Sequence, residues 1–315
     1  MDGFGDILGL SESAFYLLRD LIHERTGLYY DDGKRELLSD KLAPLVVERG
    51  LRSFLDYYYL LRYDASADEE WSRVMDALAV PETYFWREVE QIQALVEVIV
   101  PEHYARAGHV PLRIWSAACA SGEEPLSIAI ALQEAGWFDR LSIEIYATDG
   151  SRAAIQRARR GIYREWSFRK LPQALRDRYF EEITPNSRPG VTRQWRVDPS
   201  LLARIRWDVV NLMDPSAVAR YARADVVFCR NVFIYFSEEA TTRVVNLFYQ
   251  HMRTPGYLFV GASESLLRLR QPFTLQEVGS ALAYVKEART IAQNAPSPAT
   301  GEWVYGTRHS SPGRR

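Results

Sequence analysis

The residues best suited to chemistry lie in Ile114-Trp115-Ser116-Ala117-Ala118-Cys119-Ala120-Ser121-Gly122-Glu123-Glu124-Pro125, ahead of the apolar run Leu126 to Leu132. A short β-type segment passes into small residues with one glycine and then into acids that open a helix. That is the layout of a nucleotide-binding strand-loop-helix turn. Small side chains let the backbone lie against a ligand. The two glutamates argue against a phosphate, because a P-loop or a dinucleotide fingerprint offers bare N–H groups and, in the P-loop, a lysine. A cationic or neutral nucleoside fits better, and S-adenosylmethionine, a sulfonium with a ribose and no phosphate, has that chemistry.

Further polar groups stand just past β-type runs. Asp149 ends Tyr146-Ala147-Thr148-Asp149, where an acid can accept hydrogen bonds from both ribose hydroxyls. It could equally cap the helix that starts near Ser151, and the two roles can coexist. Asn211 and Leu212 follow Val209-Val210, and Arg230-Asn231 follow Val226-Val227-Phe228-Cys229, with Tyr235 beyond them. Four strand ends would then converge on one crevice. An asparagine and a carbonyl suit the edge of adenine, and Arg230-Asn231 would lie near the reacting end. Each could also do no more than turn or cap the chain.

The elements that must position these groups follow from periodicity. Residues 1–80 read as a small helical domain: Ser11 caps a helix that ends near Gly27, a second helix runs from about Lys34 to Arg49, and Ser53 caps a third. Residues 81–110 form a linker and a helix. From Leu112 the pattern alternates β and α through Ile143–Ala147, Ile205–Val210, Val226–Cys229 and Tyr257–Val260, which implies an α/β doubly wound, mainly parallel sheet over 111–287. A small β unit is inserted at about 165–200, where Val191 to Val197 alternates like an exposed strand. The Pro- and Ser-containing stretch 288–315 reads as a disordered tail.

Composition sets outer bounds. With 315 residues, 47% of them hydrophobic, the chain can bury a full core. A net charge of −2 gives no general nucleic-acid footprint. Cys119 and Cys229 have no metal-ligand spacing, so no metal site is expected and a reducing cytoplasm is favoured. The first residues lack a basic signal region and no apolar run approaches the ~20 residues that span a bilayer. The expected location is cytoplasmic, without direct membrane insertion.

The motifs WSAACASGEEP (115–125), YATDGS (146–151), VVNLMD (209–214), FCRNVFIYF (228–236) and TYFWRE (83–88) resemble, in order and spacing, the CheR family of chemotaxis protein-glutamate O-methyltransferases. The resemblance covers roughly residues 10–287. It implies a helical N-terminal domain, a methyltransferase domain with an inserted β-subdomain, and S-adenosylmethionine converted to S-adenosylhomocysteine. The implied substrates are glutamates on the cytoplasmic helices of methyl-accepting chemoreceptors. Carried over by position, it places cofactor contacts at Thr83, Arg87, Glu123, Asp149, Asn211, Leu212, Arg230 and Asn231, and catalytic roles at Arg87 and Tyr235.

Such a reaction asks little acid–base chemistry of the protein. A glutamate with an ordinary pKa near ~4.3 is already ionised at neutral pH and needs no general base. None of the five histidines lies in these motifs. Arg87 could hold a carboxylate of substrate or of the methionyl group, and the Tyr235 phenol could orient the acceptor oxygen.

The chain also departs from the family pattern. Pro81 stands where the family commonly has an asparagine, and a proline removes an N–H as well as the amide. Lys34, Arg35, Lys41 and Arg49 resemble a basic receptor-facing helix, although an ordinary solvated face gives the same pattern. Gly190, between Pro189 and Val191, lacks the glycine-rich turn of members that bind a receptor's C-terminal pentapeptide, which argues against such tethering. A nicotinamide dehydrogenase would need a G-x-G-x-x-G turn that 116–122 does not supply. The alternative from another class is a catalytically weak or inactive cofactor-binding module that docks on receptors or a signalling partner.

Overall fold

A computed structural model describes residues 9–183 and 192–287. The chain begins as helices whose starts carry their own caps. Ser11 accepts the Ala14 N–H at the start of α1 (Glu12–Thr26), which stops at Gly27 with φ 78°. α2 (Arg35–Glu48) follows a short turn over Asp32–Lys34, Ser53 caps α3 (Phe54–Tyr63), and α4 (Ala67–Leu78) completes the group. Their inward faces make a core that includes Phe15, Leu18, Ile22, Leu42, Tyr57 and Val74.

This packing changes the reading of the basic helix. Glu70 is fully buried, and its carboxylate accepts hydrogen bonds from Arg49 Nε at 2.6 Å and the Tyr57 hydroxyl at 2.7 Å. The Lys41 ammonium reaches back to the carbonyls of Ala77 and Leu78, at 3.1 and 3.4 Å, and closes the end of α4. Lys34 pairs with Asp31. Of the face expected to meet receptors, Lys41 and Arg49 therefore hold the helical domain together, because a buried carboxylate and open helix carbonyls need cations.

α5 (Val89–Ala94) and α6 (Val100–Ala107), separated by a π-type turn over Leu95–Ile99, lead to the sheet. There β1 (Leu112–Ala117), α7 (Glu123–Glu134), β2 (Ile143–Asp149) and α8 (Arg152–Arg160) alternate as the sequence pattern requires. β3 (Ile162–Arg164), α9 (Gln173–Tyr179), β4 (Phe180–Glu182) and β5 (Gln194–Val197) form the inserted unit, an antiparallel sheet in the order β3-β5-β4. β6 (Ile205–Val209), α10 (Pro215–Tyr221), β7 (Val226–Cys229), α11 (Glu238–His251) and β8 (Gly256–Phe259) return to the main sheet.

β9 (Thr274–Val278) and β10 (Ala281–Lys286) add an antiparallel hairpin, giving the order β6-β2-β1-β7-β8-β10-β9. This hairpin was not expected from the alternation, which reads clearly only as far as Val260. The central strand β7 is buried along its whole length, as a parallel strand covered on both faces must be. Apolar clusters lie on both faces of the sheet.

The inserted unit is anchored by aromatic packing. The Phe85 ring lies 5.3 Å from Phe168 and 5.0 Å from Phe180, and the Phe85 N–H donates to the Ser167 carbonyl at 2.9 Å. The helical domain is fastened to the ends of the strands. Tyr29 N–H donates to the Tyr235 carbonyl, Leu28 forms an isolated bridge with Phe236, and the Ser151 hydroxyl donates to Asp76. Gly190 and the stretch 288–315 lie outside the described residues. Among the described residues no helix is long and apolar enough to cross a membrane.

Candidate active site

Between the helical domain and the carboxyl ends of β1, β2 and β7 lies a cavity of about 350 Å³. Its walls include Tyr29, Lys34 and Met75 from the helical domain and Thr83, Arg87, Asp149, Leu212, Arg230, Asn231 and Tyr235 from the larger domain. A crevice at the carboxyl ends of such strands is where open α/β sheets bind ligands.

The turn after β1 is folded for close approach. Ala118 and Ala120 have φ of 60° and 49°, and Gly122 has φ 94°. A side chain at Gly122 would stand 2.8 Å from the Trp207 ring and 3.0 Å from Ala158, so α7 could not start where it does with another residue there. Cys119, also on the cavity wall, is buried, and burial pushes its thiol well up, so it stays a neutral packing group.

Asp149 ties this turn to the next. One carboxylate oxygen accepts the Ala120 N–H at 2.9 Å and the other the Ser151 N–H at 2.8 Å. It does not cap α8, since the Ser151 hydroxyl accepts the Ala154 N–H and takes that role. Burial raises the Asp149 carboxyl above its ordinary value, against the pull of those two N–H groups.

Of the paired acids, Glu124 lines the cavity and Glu123 does not. The Glu123 carboxylate is buried between the hydroxyls of Ser121, at 2.8 Å, and Ser167, at 3.0 Å. Adjacent helical residues point roughly 100° apart, which puts Glu124 on the wall while the expected contact residue Glu123 sits behind it. Glu124 accepts the Ser116 hydroxyl at 2.6 Å and sits 3.1 Å from Arg230 Nε. Burial raises its carboxyl, while Arg230 opposes the rise.

Arg230 is buried and donates through Nη2 to the Arg87 carbonyl at 2.6 Å. Its Nη1 is buried without a hydrogen-bond partner among the described residues. An orphaned guanidinium N–H in a residue on the cavity wall is costly unless an acceptor arrives, and a carboxylate-bearing ligand supplies one. Asn231, at φ 58°, donates its N–H to Glu264 at 2.7 Å. Glu264 also takes the N–H groups of Gly261 at 2.7 Å and Ile234 at 3.2 Å. Sequence reasoning missed this acid, because nothing local shows that Ser263-Glu264-Ser265 folds under the β7 loop.

The remaining expected residues are mixed in their placement. Thr83 and Arg87 line the cavity, Arg87 donating to the Glu82 carbonyl and lying 5.4 Å from the Tyr84 ring centre. Pro81 lines it too. Tyr235 ends a short turn and is 37% exposed, which leaves its phenol accessible from the cavity side. Asn211 is on the wall, but its amide donates to the Arg25 carbonyl at 2.6 Å and its oxygen accepts the Met213 N–H. Its side chain is thus committed to the domain junction, and its carbonyl accepts the Asp214 N–H at 3.0 Å.

A small-residue turn, an acid after the second strand and a buried arginine whose Nη1 has no acceptor among the described residues suit a zwitterionic nucleoside such as S-adenosylmethionine. With a doubly wound sheet ending in an antiparallel hairpin, they define an S-adenosylmethionine-dependent methyltransferase. Residues 81–281 match the CheR methyltransferase, SAM binding domain, and residues 13–79 the CheR methyltransferase, all-alpha domain. The chain belongs to the CheR methyltransferase family.

Relatives include chemotaxis protein methyltransferase 2 of Vibrio cholerae, 32% identical over 279 residues, with 88% of this chain and 94% of the relative covered. Chemotaxis protein methyltransferase 1 of Pseudomonas aeruginosa is 29% identical over 285 residues, covering 88% and 99%. The probable biofilm formation methyltransferase WspC of Pseudomonas putida is 30% identical over 293 residues, covering 92% of this chain and 65% of that one.

Proposed function

We propose that this methyltransferase esterifies side-chain carboxylates of glutamates on the cytoplasmic helices of chemoreceptors, acting in the cytoplasm in chemotaxis or a related signalling pathway. The observation that carries the reading is the cavity itself: its wall runs from the strand-end crevice to the exposed residues Tyr29, Lys34 and Tyr235, so it is reachable by a protein side chain from solvent. When bound, S-adenosylmethionine supplies an activated sulfonium methyl, and the products are the methyl ester and S-adenosylhomocysteine.

The residues then divide the work. Asp149 holds the ribose end and Leu212 packs beside the base, with Asn211 bracing the wall behind it through Arg25 and Met213. Arg230, through its unpartnered Nη1, takes the carboxylate of the methionyl part, and Glu124 balances the guanidinium charge. Thr83 closes the wall near Arg87. Tyr235 and Arg87 orient the acceptor carboxylate and strip its water, which raises its reactivity without any proton transfer.

Incubation of the protein with methyl-labelled S-adenosylmethionine and receptor-containing membranes tests the reading. Base-labile label on receptors is the expected result. Tight S-adenosylhomocysteine binding with no such label would instead support a docking module that lacks the activity.

A further inference from the structure

The segment Arg157 to Lys170 holds six basic residues and one acid, and the indole of Trp166 is 66% exposed in the middle of it. A side chain of that size is normally covered, and this one is also held in place. Arg169 lies 4.4 Å from the Trp166 ring centre, donates to the Trp166 carbonyl at 2.9 Å and pairs with Glu82 at 2.5 Å. On its other side it lies 3.7 Å from the Tyr84 ring centre. The turn is pinned beneath by Phe85 and Phe168, stacked at 5.3 Å.

Glu82 and Tyr84, the residues that grip Arg169, belong to the cavity wall. The surface is therefore continuous with the site where the acceptor must enter. Arg87, Tyr84, Arg169 and Trp166 alternate cation and ring in successive contact, at 5.4, 3.7 and 4.4 Å. Arg164 and Lys170 flank Trp166 in the chain, are exposed, and form no ion pair with any described residue.

On the proposed receptor-methylating reading, we infer that the Trp166 turn is the docking surface for the substrate helix. Its occupant is an acidic amphipathic helix that lays an apolar residue on the indole, sets carboxylates against Arg164 and Lys170, and carries the acceptor glutamate into the cavity. The charge and the pre-set aromatic anchor fix that chemistry, since rigid tryptophans beside arginines are the usual energetic centres of protein interfaces. With Lys41 and Arg49 committed inside the helical domain, Arg35 is what α2 leaves exposed without an ion pair among the described residues, and the inserted unit adds Arg164 and Lys170 to the cations a partner can meet.

The test is binding of a purified chemoreceptor cytoplasmic fragment to the full chain in the presence of S-adenosylhomocysteine, followed by fluorescence anisotropy. Trp166→Ala should weaken the fragment by at least about tenfold. Arg164→Glu with Lys170→Glu should weaken it further at low salt and flatten the salt dependence. Calorimetric affinity for S-adenosylhomocysteine should stay unchanged in both, which shows that the fold and the nucleoside site are intact. Wild-type fragment affinity in both variants, or no binding of the fragment by the native chain, overturns the inference. Methyl-ester formation by the native chain is scored separately, so fragment binding without esters rejects the activity and leaves the docking surface standing.

Discussion

Glu264 holds Asn231 in a left-handed backbone conformation, its buried carboxylate accepting the Asn231 N–H at 2.7 Å while it binds Gly261 and Ile234 as well. One side chain thereby fixes the loop between Arg230 and Tyr235 from beneath. Glu264→Gln keeps the volume but loses the charge and one acceptor. We expect kcat/KM for receptor to fall by about tenfold or more, the scale of losing charged hydrogen bonds. Steady-state methylation kinetics check this, and a rate equal to the native one would mean the loop holds its shape alone.

Asp149→Ala should weaken S-adenosylhomocysteine by about 1.5–3 kcal/mol, through loss of charged hydrogen bonds at a buried position. The structure adds a local cost, because Ala120 and Ser151 each lose the acceptor of their N–H. Calorimetry gives the affinity and circular dichroism the fold. Unchanged affinity would leave Asp149 as a brace between two turns and nothing more.

The raised carboxyl of Asp149 gives opposite pH trends for stability and for ligand binding. A folded-state value above the unfolded one means the folded protein binds the proton more tightly. That contribution to stability is present in full below the ordinary aspartate value and is lost as pH rises through the raised one. Ribose hydroxyls donate to the ionised form, so affinity should fall as pH drops from neutral to about pH 5. In Asp149→Asn, which cannot titrate, both dependences should shrink. Thermal melts and calorimetry at the two pH values decide, and equal slopes in native and variant chains would assign the titration to other groups.

Arg49→Glu should cost stability toward the low end of about 3–5 kcal/mol, since it sets a second acid against the fully buried Glu70 while Arg73, at 3.2 Å, still pairs with it. Lys41→Glu should cost less, through two helix carbonyls left open. Chemical denaturation checks both. If either variant were as stable as the native protein while losing receptor binding, the helix would be a docking face after all.

Legibility in the sequence followed how local each cause was. Ser11, Ser53 and Ser151 announced their helices because a cap acts within three residues, and Asp149 was visible because a strand end fixes its neighbourhood. Which of Glu123 and Glu124 lines the cavity depends on the phase of α7, which no local pattern fixes. Lys41 and Arg49 read as solvated charges because Ala77, Leu78 and Glu70 lie beyond any local pattern. β9 carries polar Gln276 and Glu277 at the sheet edge, where a strand need not look apolar.

The junction that runs from Tyr29 to Tyr235, Leu28 to Phe236, Asn211 to Arg25 and Ser151 to Asp76 has a consequence for how such proteins can be recombined. Three of these four links use only backbone groups on the helical-domain side and ask little of that domain's sequence, so they would tolerate a helical domain taken from a relative. The Ser151–Asp76 link and the contact of Met75 with Gly150, where any added side chain would clash at 2.3 Å, are specific to the pair that meets there. A chimaera would therefore inherit half of its nucleoside chamber from each parent, and the compatibility of the two would be decided at positions 75, 76, 150 and 151.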